Sequence, residues 1–262
     1  MESITLTILG SGTSTGVPVV GCACSVCTSS DPRDRRFRTS ALISYQGKNI
    51  LIDAGPDLRN QLLTHTPATI DAVLFTHGHA DHILGIDELR PYYFRKGSAI
   101  PCFGTRETLE QIRRVFFYVF EKNPEYRGGG LVDLSLQEIA PHTTISVCGL
   151  PIEVFPLEHG NMPVVGFRFG DIAYATDCHQ VPELSRQILR RSLKTLVLDG
   201  LRLEDHQTHM TIPRACNLAR ELGVPQTYLI HMSHAVGHAA IESTLPEGVL
   251  LAYDGLRITG TA

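Results

Sequence analysis

What this chain of 262 residues lacks narrows its class before any motif is read. No apolar run approaches the ~20 residues needed to cross a bilayer. The N-terminus, "MESITLTILG", has neither the basic start nor the long apolar stretch of a secretory signal, so a cytoplasmic protein with no membrane contact is expected. Positive charge is not in excess. The formal net charge of −4 disfavours a protein built to grip long nucleic acid, but not one that holds a small phosphorylated substrate in a local pocket. A disulfide framework is also missing. The seven cysteines are odd in number, and three of them crowd into "GCACSVC" (Cys22, Cys24, Cys27) at metal-ligand spacing. There is no low-complexity tract, no short-period repeat and no clear linker, and 43% hydrophobic content argues against disorder. The length suits one α/β domain, taken as 1–262.

What is present is a mixed pattern. "ITLTILG" alternates and ends in the glycines of "GSGTSTG", which lacks the GxGxxG spacing of a nucleotide loop and reads as a strand-end turn. "SALISYQGKNILIDAG" reads as a hairpin turning at "QGKN". "DLRNQLLTH" is a short helix and "IDAVLFTH" a buried strand. "HILGIDELRPYYFR" begins as a helix that Pro91 should stop. A second series follows: "IEVFPLEH", "VVGFRFG", "IAYATD", a helix at "PELSRQILRRS", "TLVLDG", a helix at "IPRACNLARELG", "TYLIHMSH", and "VLLAYDGLRIT" as a closing pair. Two strand series with helices beyond each predict two mixed sheets packed face to face, with helices outside. Residues around 105–145, with the helix-like "ETLEQIRRVFFYVF" and the glycines after it, fit less well. They read as an insertion capping a substrate site, with "VFFYVF" either helix core or, the favoured reading, part of a lid.

The densest chemistry is "FTHGHADHILG", which sets His77, His79, Asp81 and His82 within six positions. Several strands end in further ligand types: His159, Asp177 and His231, with Asp53 and Asp199 beside them. One such histidine is ordinary; four strand ends next to an HxHxDH loop point to metal. His77 and His79, two apart in an extended loop, can share one ion. Asp81 and His82, opening the next helix, point to a second, and a carboxylate from elsewhere can bridge the two.

These motifs resemble the metallo-β-lactamase superfamily, the αββα hydrolases, over essentially the whole chain. "GCACSVC" together with "HMSH" resembles more narrowly its PhnP-type phosphodiesterase branch, which cleaves cyclic diesters such as phosphoribosyl 1,2-cyclic phosphate. The resemblance implies two catalytic divalent ions, zinc or manganese. His77, His79 and His159 would hold the first; Asp81, His82 and His231 would hold the second, with Asp177 bridging. A hydroxide between the ions would attack the diester, with Asp81 among the catalytic groups. His209, in "THMT", would contact the scissile phosphate and protonate the leaving alkoxide, with His206 as its rival. Asp53 would orient the histidine loop. Cys22, Cys24 and Cys27 would hold a structural zinc with His234, or with His238, as fourth ligand. The partner expected is a small phosphorylated substrate; a homodimer is left open.

A tRNA 3′-processing-type nuclease and a lactone or thioester hydrolase use the same loop. The first usually carries a basic arm that this chain lacks, and the second has no use for His209. A non-catalytic role, as in relatives tied to pyrroloquinoline quinone, fits poorly because those lose much of the HxHxDH loop. The arginines of "DPRDRRFR" (Arg33, Arg35, Arg36, Arg38) read equally well as a solvated turn or as phosphate contacts.

Overall fold

The alternation of side chains decides the architecture. In β1 (Ser3–Gly10), Ile4, Leu6 and Ile8 enter one buried cluster and Leu9 enters another on the opposite face. A strand buried on both faces requires a layer on each side. The computed structural model describes residues 2–121 and 128–262 and supplies both layers. Strands β1, β2 (Ser40–Tyr45), β3 (Lys48–Ile52), β4 (Ala72–Leu74), β5 (Ile100–Gly104) and β6 (Leu134–Glu138) form one sheet, closed at its far edge by the last strand, β14 (Arg257–Thr261). Between them in sequence, β7 (Thr143–Val147), β8 (Leu150–His159), β9 (Met162–Phe169), β10 (Ile172–Ala175), β11 (Thr195–Asp199), β12 (Gln226–Ile230) and β13 (Val249–Leu251) form the second. Each sheet has seven strands, in orders β14-β1-β2-β3-β4-β5-β6 and β13-β12-β11-β10-β9-β8-β7.

The sheets share a core in which Ile43, Ile52 and Leu74 face Ile152, Phe167, Tyr174 and Val197. Outside the first sheet lie α1 (Leu58–His65), α2 (Ala80–Ile83), α3 (Arg90–Lys96), α4 (Arg106–Val115) and α5 (Phe117–Phe120), over Leu51, Val73 and Phe75. Outside the second lie α6 (Glu183–Leu189), α7 (Ile212–Leu222) and α8 (His238–Glu242), over Ala173, Leu196 and Leu198. This is the αββα sandwich expected from the strand series.

Several local expectations meet a different outcome. The β2–β3 hairpin forms as read, turning at Gln46 (φ 47°) and Gly47 (φ 74°), both in the left-handed region that a tight two-residue turn demands. Pro91 does not stop a helix. It occupies the first turn of α3, where its missing N–H costs nothing. The C-terminal pair is no hairpin, since β13 and β14 join different sheets. The stretch around 105–145 is not set apart from the layers either. There α4 and α5 cover the first sheet, and β6 pairs in parallel with β5 (Cys102↔Leu136). The remainder of the expected cap, residues 122–127, lies outside the described residues.

The carboxyl ends of parallel strands collect ligands in α/β folds. Here β3, β4 and β5 run parallel in one sheet, and β10, β11 and β12 in the other. Val165 N–H, in β9, donates to Thr76 O in the loop after β4 (3.1 Å), and Met232 N–H, after β12, donates to Ser11 O, after β1 (3.0 Å), tying the two sheets together at the strand ends of the first. The loop after β3 and helix α2 meet backbone to backbone: Ala54 N–H donates to His82 O and Gly85 N–H to Ala54 O, both at 2.7 Å. That approach requires Gly55, where an added Cβ would lie 2.0 Å from the Asp81 carbonyl oxygen. Gly55→Ala is therefore expected to destabilise the protein by about 1–3 kcal/mol and to lower metal content by displacing α2. Thermal unfolding and metal analysis together check this, and an unchanged Tm would contradict it.

Candidate metal centre

The histidine loop follows β4, a short buried strand, and α2 begins at once, with His79 at its N-cap. His77 and His79 thus lie in extended chain, while Asp81 and His82 lie in the first turn of a helix. From the second sheet come His159, ending β8, Asp177, just after β10, and His231, just after β12. The structure brings all seven together. His77, His79, His159 and Asp177 each offer a ligand atom within 4.8 Å of the others, and so do Asp81, His82, Asp177 and His231. Asp177 is common to both sets. Its Oδ2 lies 3.1 Å from His231 Nε2, 3.3 Å from His82 Nε2 and 3.8 Å from His77 Nε2.

The surrounding contacts fix which nitrogen faces inward for three of the rings. His82 Nδ1 donates to Asp53 Oδ2 (2.8 Å), and His159 Nδ1 donates to Thr208 O (2.8 Å). His77 Nδ1 contacts Thr76 Oγ1 (3.0 Å). Each leaves Nε2 for the centre, the arrangement by which outer partners set a ligand's tautomer. Asp53 itself is held by Thr76 N–H (2.9 Å) and Thr76 Oγ1–H (2.8 Å). The inward nitrogens of His82 and His231 are fully buried and make no well-formed hydrogen bond. His77 Nε2 and His79 Nδ1 sit 2.9 Å apart, two nitrogens that must share a proton or face a common cation. Orphaned buried donors of this kind, in an all-nitrogen and carboxylate set, suit divalent ions.

Electrostatics point the same way. Burial works against the ionised form of Asp177, yet the imidazoles of His231 and His82 outweigh it and hold the carboxyl well below the usual range. Burial likewise opposes the charged forms of His82 and His231. For His82 the carboxylates of Asp177, Asp53 and Asp81 prevail and raise the ring well above the ordinary value. His231 is pushed up to about 10, chiefly by Asp177. The carboxylates demand positive charge, and a metal ion is the stronger source of it.

A second cluster joins Cys22, Cys24, Cys27 and His234. His234 Nδ1 lies 3.3, 3.6 and 3.5 Å from the three sulfurs in turn. The Cys27 backbone N–H donates to Cys24 Sγ and is the main cause that lowers the Cys24 thiol to about 6, favouring the thiolate a metal needs. His238, the alternative fourth residue, is instead buried beside Glu242 (3.4 Å).

Just beyond the histidine–aspartate sets stands His209, whose Nδ1 lies 2.8 Å from Asp199 Oδ2 and whose ring stacks 4.6 Å from His231. Among the described residues its rival His206 has no carboxylate partner; its Nδ1 accepts from Thr208 N–H at 3.3 Å. Sequence reasoning counted Asp199 among the strand-end acids but gave it no task, because its pairing with a residue ten positions on depends on the turn after β11. Reasoning from sequence also missed Arg36. Its side chain, fully shielded from solvent, pairs with Asp34 (2.9 Å) and donates to the carbonyls of Ser233 and Val236, bracing the segment that carries His231 and His234. Arg33 and Arg38 pair with Asp31 (2.8 Å) and Asp57 (3.0 Å). Nothing in "DPRDRRFR" distinguishes these internal roles from phosphate contacts.

A model of the beta-lactamase superfamily domain matches residues 48–232. The chain belongs to the beta-lactamase superfamily. Within it, the chain is 41% identical over 252 residues to an octanoyltransferase of Porphyromonas gingivalis, covering 95% of this chain but 50% of that one. It therefore spans half the length of that relative. It is 30% identical over 236 residues to coenzyme PQQ synthesis protein B of Methylobacterium nodulans, covering 76% and 73% of the two chains. Among solved structures, a diphosphatase from the PhnP family superposes with a TM-score of 0.91 at 40% identity, over 98% of this chain and 97% of that one.

The two clusters should respond separately to substitution. Asp177→Ala is expected to abolish hydrolysis and strip metal from the histidine–aspartate sets, because it removes the carboxylate that both share. Cys24→Ser should lower zinc content and stability while leaving those sets able to bind ions. Elemental analysis of purified variants checks both. Full metal retention in Asp177→Ala, or unchanged zinc in Cys24→Ser, would contradict the assignment.

Proposed function

We propose that the chain is a dinuclear metal-dependent phosphodiesterase acting on a small cyclic phosphate diester. His77, His79 and His159 would hold one ion, Asp81, His82 and His231 the other, and Asp177 both. Cys22, Cys24, Cys27 and His234 would hold a structural zinc, since three thiolates and one imidazole make a closed tetrahedral set. Histidine and carboxylate ligands accept zinc or manganese. Divalent ions in the paired sets supply Lewis acidity at a phosphoryl oxygen and acidify water at neutral pH.

The observation that carries the reading is His209. Its ring lies beside His231 and His159, both at 4.6 Å between centroids, with Nδ1 committed to Asp199. That leaves Nε2 as the atom that contacts the phosphate and passes a proton to the departing alkoxide. Asp199 fixes the ring through Oδ2, which also accepts from Cys178 N–H (2.9 Å). Asp81 presents a carboxylate oxygen able to take a proton from the attacking water. A thioester expels a thiolate, which places no comparable demand on a positioned acid, and a lactone, though it too expels an alkoxide, offers no phosphate for this Nε2 to contact. The octanoyltransferase relative extends over twice the matched length, so its activity is not carried to this chain. A reducing, cytoplasmic setting belongs to the same reading, since a thiolate zinc site needs free cysteines and all seven are free. Among the described residues, no helix is long and apolar enough to cross a membrane.

An alkoxide is a strong base and needs a proton to leave; a nitrophenolate needs far less. His209→Ala should slow hydrolysis of a sugar cyclic phosphate by about 10²–10⁴-fold, and a nitrophenyl phosphodiester much less. Comparing kcat/KM for both, with metal content measured in the same preparation, checks the role. Equal losses would remove the general acid and leave only phosphate binding. No loss with either would overturn the assignment of His209.

A further inference from the structure

Beside the first ligand set a cavity of about 550 Å³ opens between α4 and the β8–β9 turn, with His79 and His159 in its wall. Glu107 and Gln111, one turn apart on α4, face Asn161 and Met162 across it. Glu107 and Asn161 are exposed, Gln111 is half-buried, and none of the three side chains has a hydrogen-bond partner among the described residues. Gln111 reaches over the histidine loop itself. An added Cβ at Gly78 would lie 1.6 Å from Gln111 Oε1, so the missing side chain at Gly78 is what admits this carboxamide next to His79.

The charge of the cavity is as informative as its shape. No lysine or arginine lines it among the described residues. Arg106, the neighbour of Glu107 on α4, pairs with Glu138 (3.3 Å) in a separate groove. The N-terminus of α4 is no anion site either, because Thr105 Oγ1 already accepts from Thr108 N–H. Away from the His79 and His159 wall, a second phosphate entering here would meet the Glu107 carboxylate and, among the described residues, no lysine or arginine, whereas hydroxyl groups would meet one carboxylate acceptor and two carboxamides.

We infer that this cavity binds the uncharged, hydroxyl-bearing part of the diester, so that the preferred substrate is a cyclic phosphate of a sugar or nucleoside carrying no second phosphate. Glu107 and Gln111 are the specificity-determining residues. The inference rests on the phosphodiesterase reading above. It separates this chain from an enzyme adapted to a 5-phosphorylated sugar.

The test compares ribose 1,2-cyclic phosphate with its 5-phosphorylated form, using the metal-loaded full chain and a nitrophenyl phosphodiester as reference. The unphosphorylated sugar should be preferred at least about fivefold in kcat/KM, through KM, from like-charge repulsion and the absence of an ion-pair partner. Glu107→Lys should erase or invert that ratio, and Gln111→Ala should raise KM for the unphosphorylated sugar. Because each ratio is measured within one variant, partial unfolding cancels. Equal use of the two sugars, preference for the phosphorylated one, or a ratio untouched by Glu107→Lys overturns the inference. Hydrolysis of the nitrophenyl diester with neither sugar used overturns it alone. No hydrolysis of any of the three, with both ligand sets filled, overturns the phosphodiesterase reading and this inference with it.

Discussion

Asp177 places a carboxylate, 1% exposed, where imidazoles from both sheets converge on it. A buried charge is tolerable only when it is matched, and here the match must come from the loops of both sheets. Protonated His82 and His231 can supply it, and metal ions can supply more. Nothing apolar could fill the gap without leaving Asp81, Asp53 and Asp177 uncompensated. The demand for positive charge at one point is therefore what the strand-end loops are arranged around.

Meeting that demand strains the chain. Asp53, Asp177 and His231 all take left-handed backbone conformations, with φ of 60°, 54° and 63°. Each costs roughly 1–2 kcal/mol for a residue with a side chain. The three sit just after β3, β10 and β12, where the strand must turn sharply to present a ligand at the sheet edge. Side-chain contacts hold them there. Asp53 is fixed by Thr76 and His82, Asp177 by the facing imidazoles, and the segment after His231 by the Arg36 guanidinium. The same bracing carries His234, so the cysteine cluster and the histidine–aspartate sets share one stretch of backbone four residues long, His231 to His234.

Much of this was legible because it is local or periodic. The alternation in "ITLTILG" and the apolar run in "TLVLDG" predict strands, and the HxHxDH spacing predicts two sets of ligands from one loop. Three cysteines within six residues predict a thiolate site. What stayed hidden depends on distant chain segments meeting. The pairing of Asp199 with His209 needs the turn after β11, and the burial of Arg36 needs the loop after β12. The pairing of β6 into the first sheet stayed hidden because "LSLQE" has mostly exposed side chains and so lacks the apolar run of its neighbours. Pro91 was read as a terminator because proline breaks and begins helices with the same residue, and only the preceding turn decides which.

In the proposed dinuclear centre, both sheets converge on two ions that share Asp177. Anomalous-scattering maps of crystals of the metal-reconstituted chain test it most directly. Two peaks are expected about 3.5–4 Å apart on either side of the Asp177 carboxylate, one within reach of His77, His79 and His159 and one within reach of Asp81, His82 and His231. A single peak in a fully loaded sample, or two peaks with Asp177 bound to neither, would contradict it.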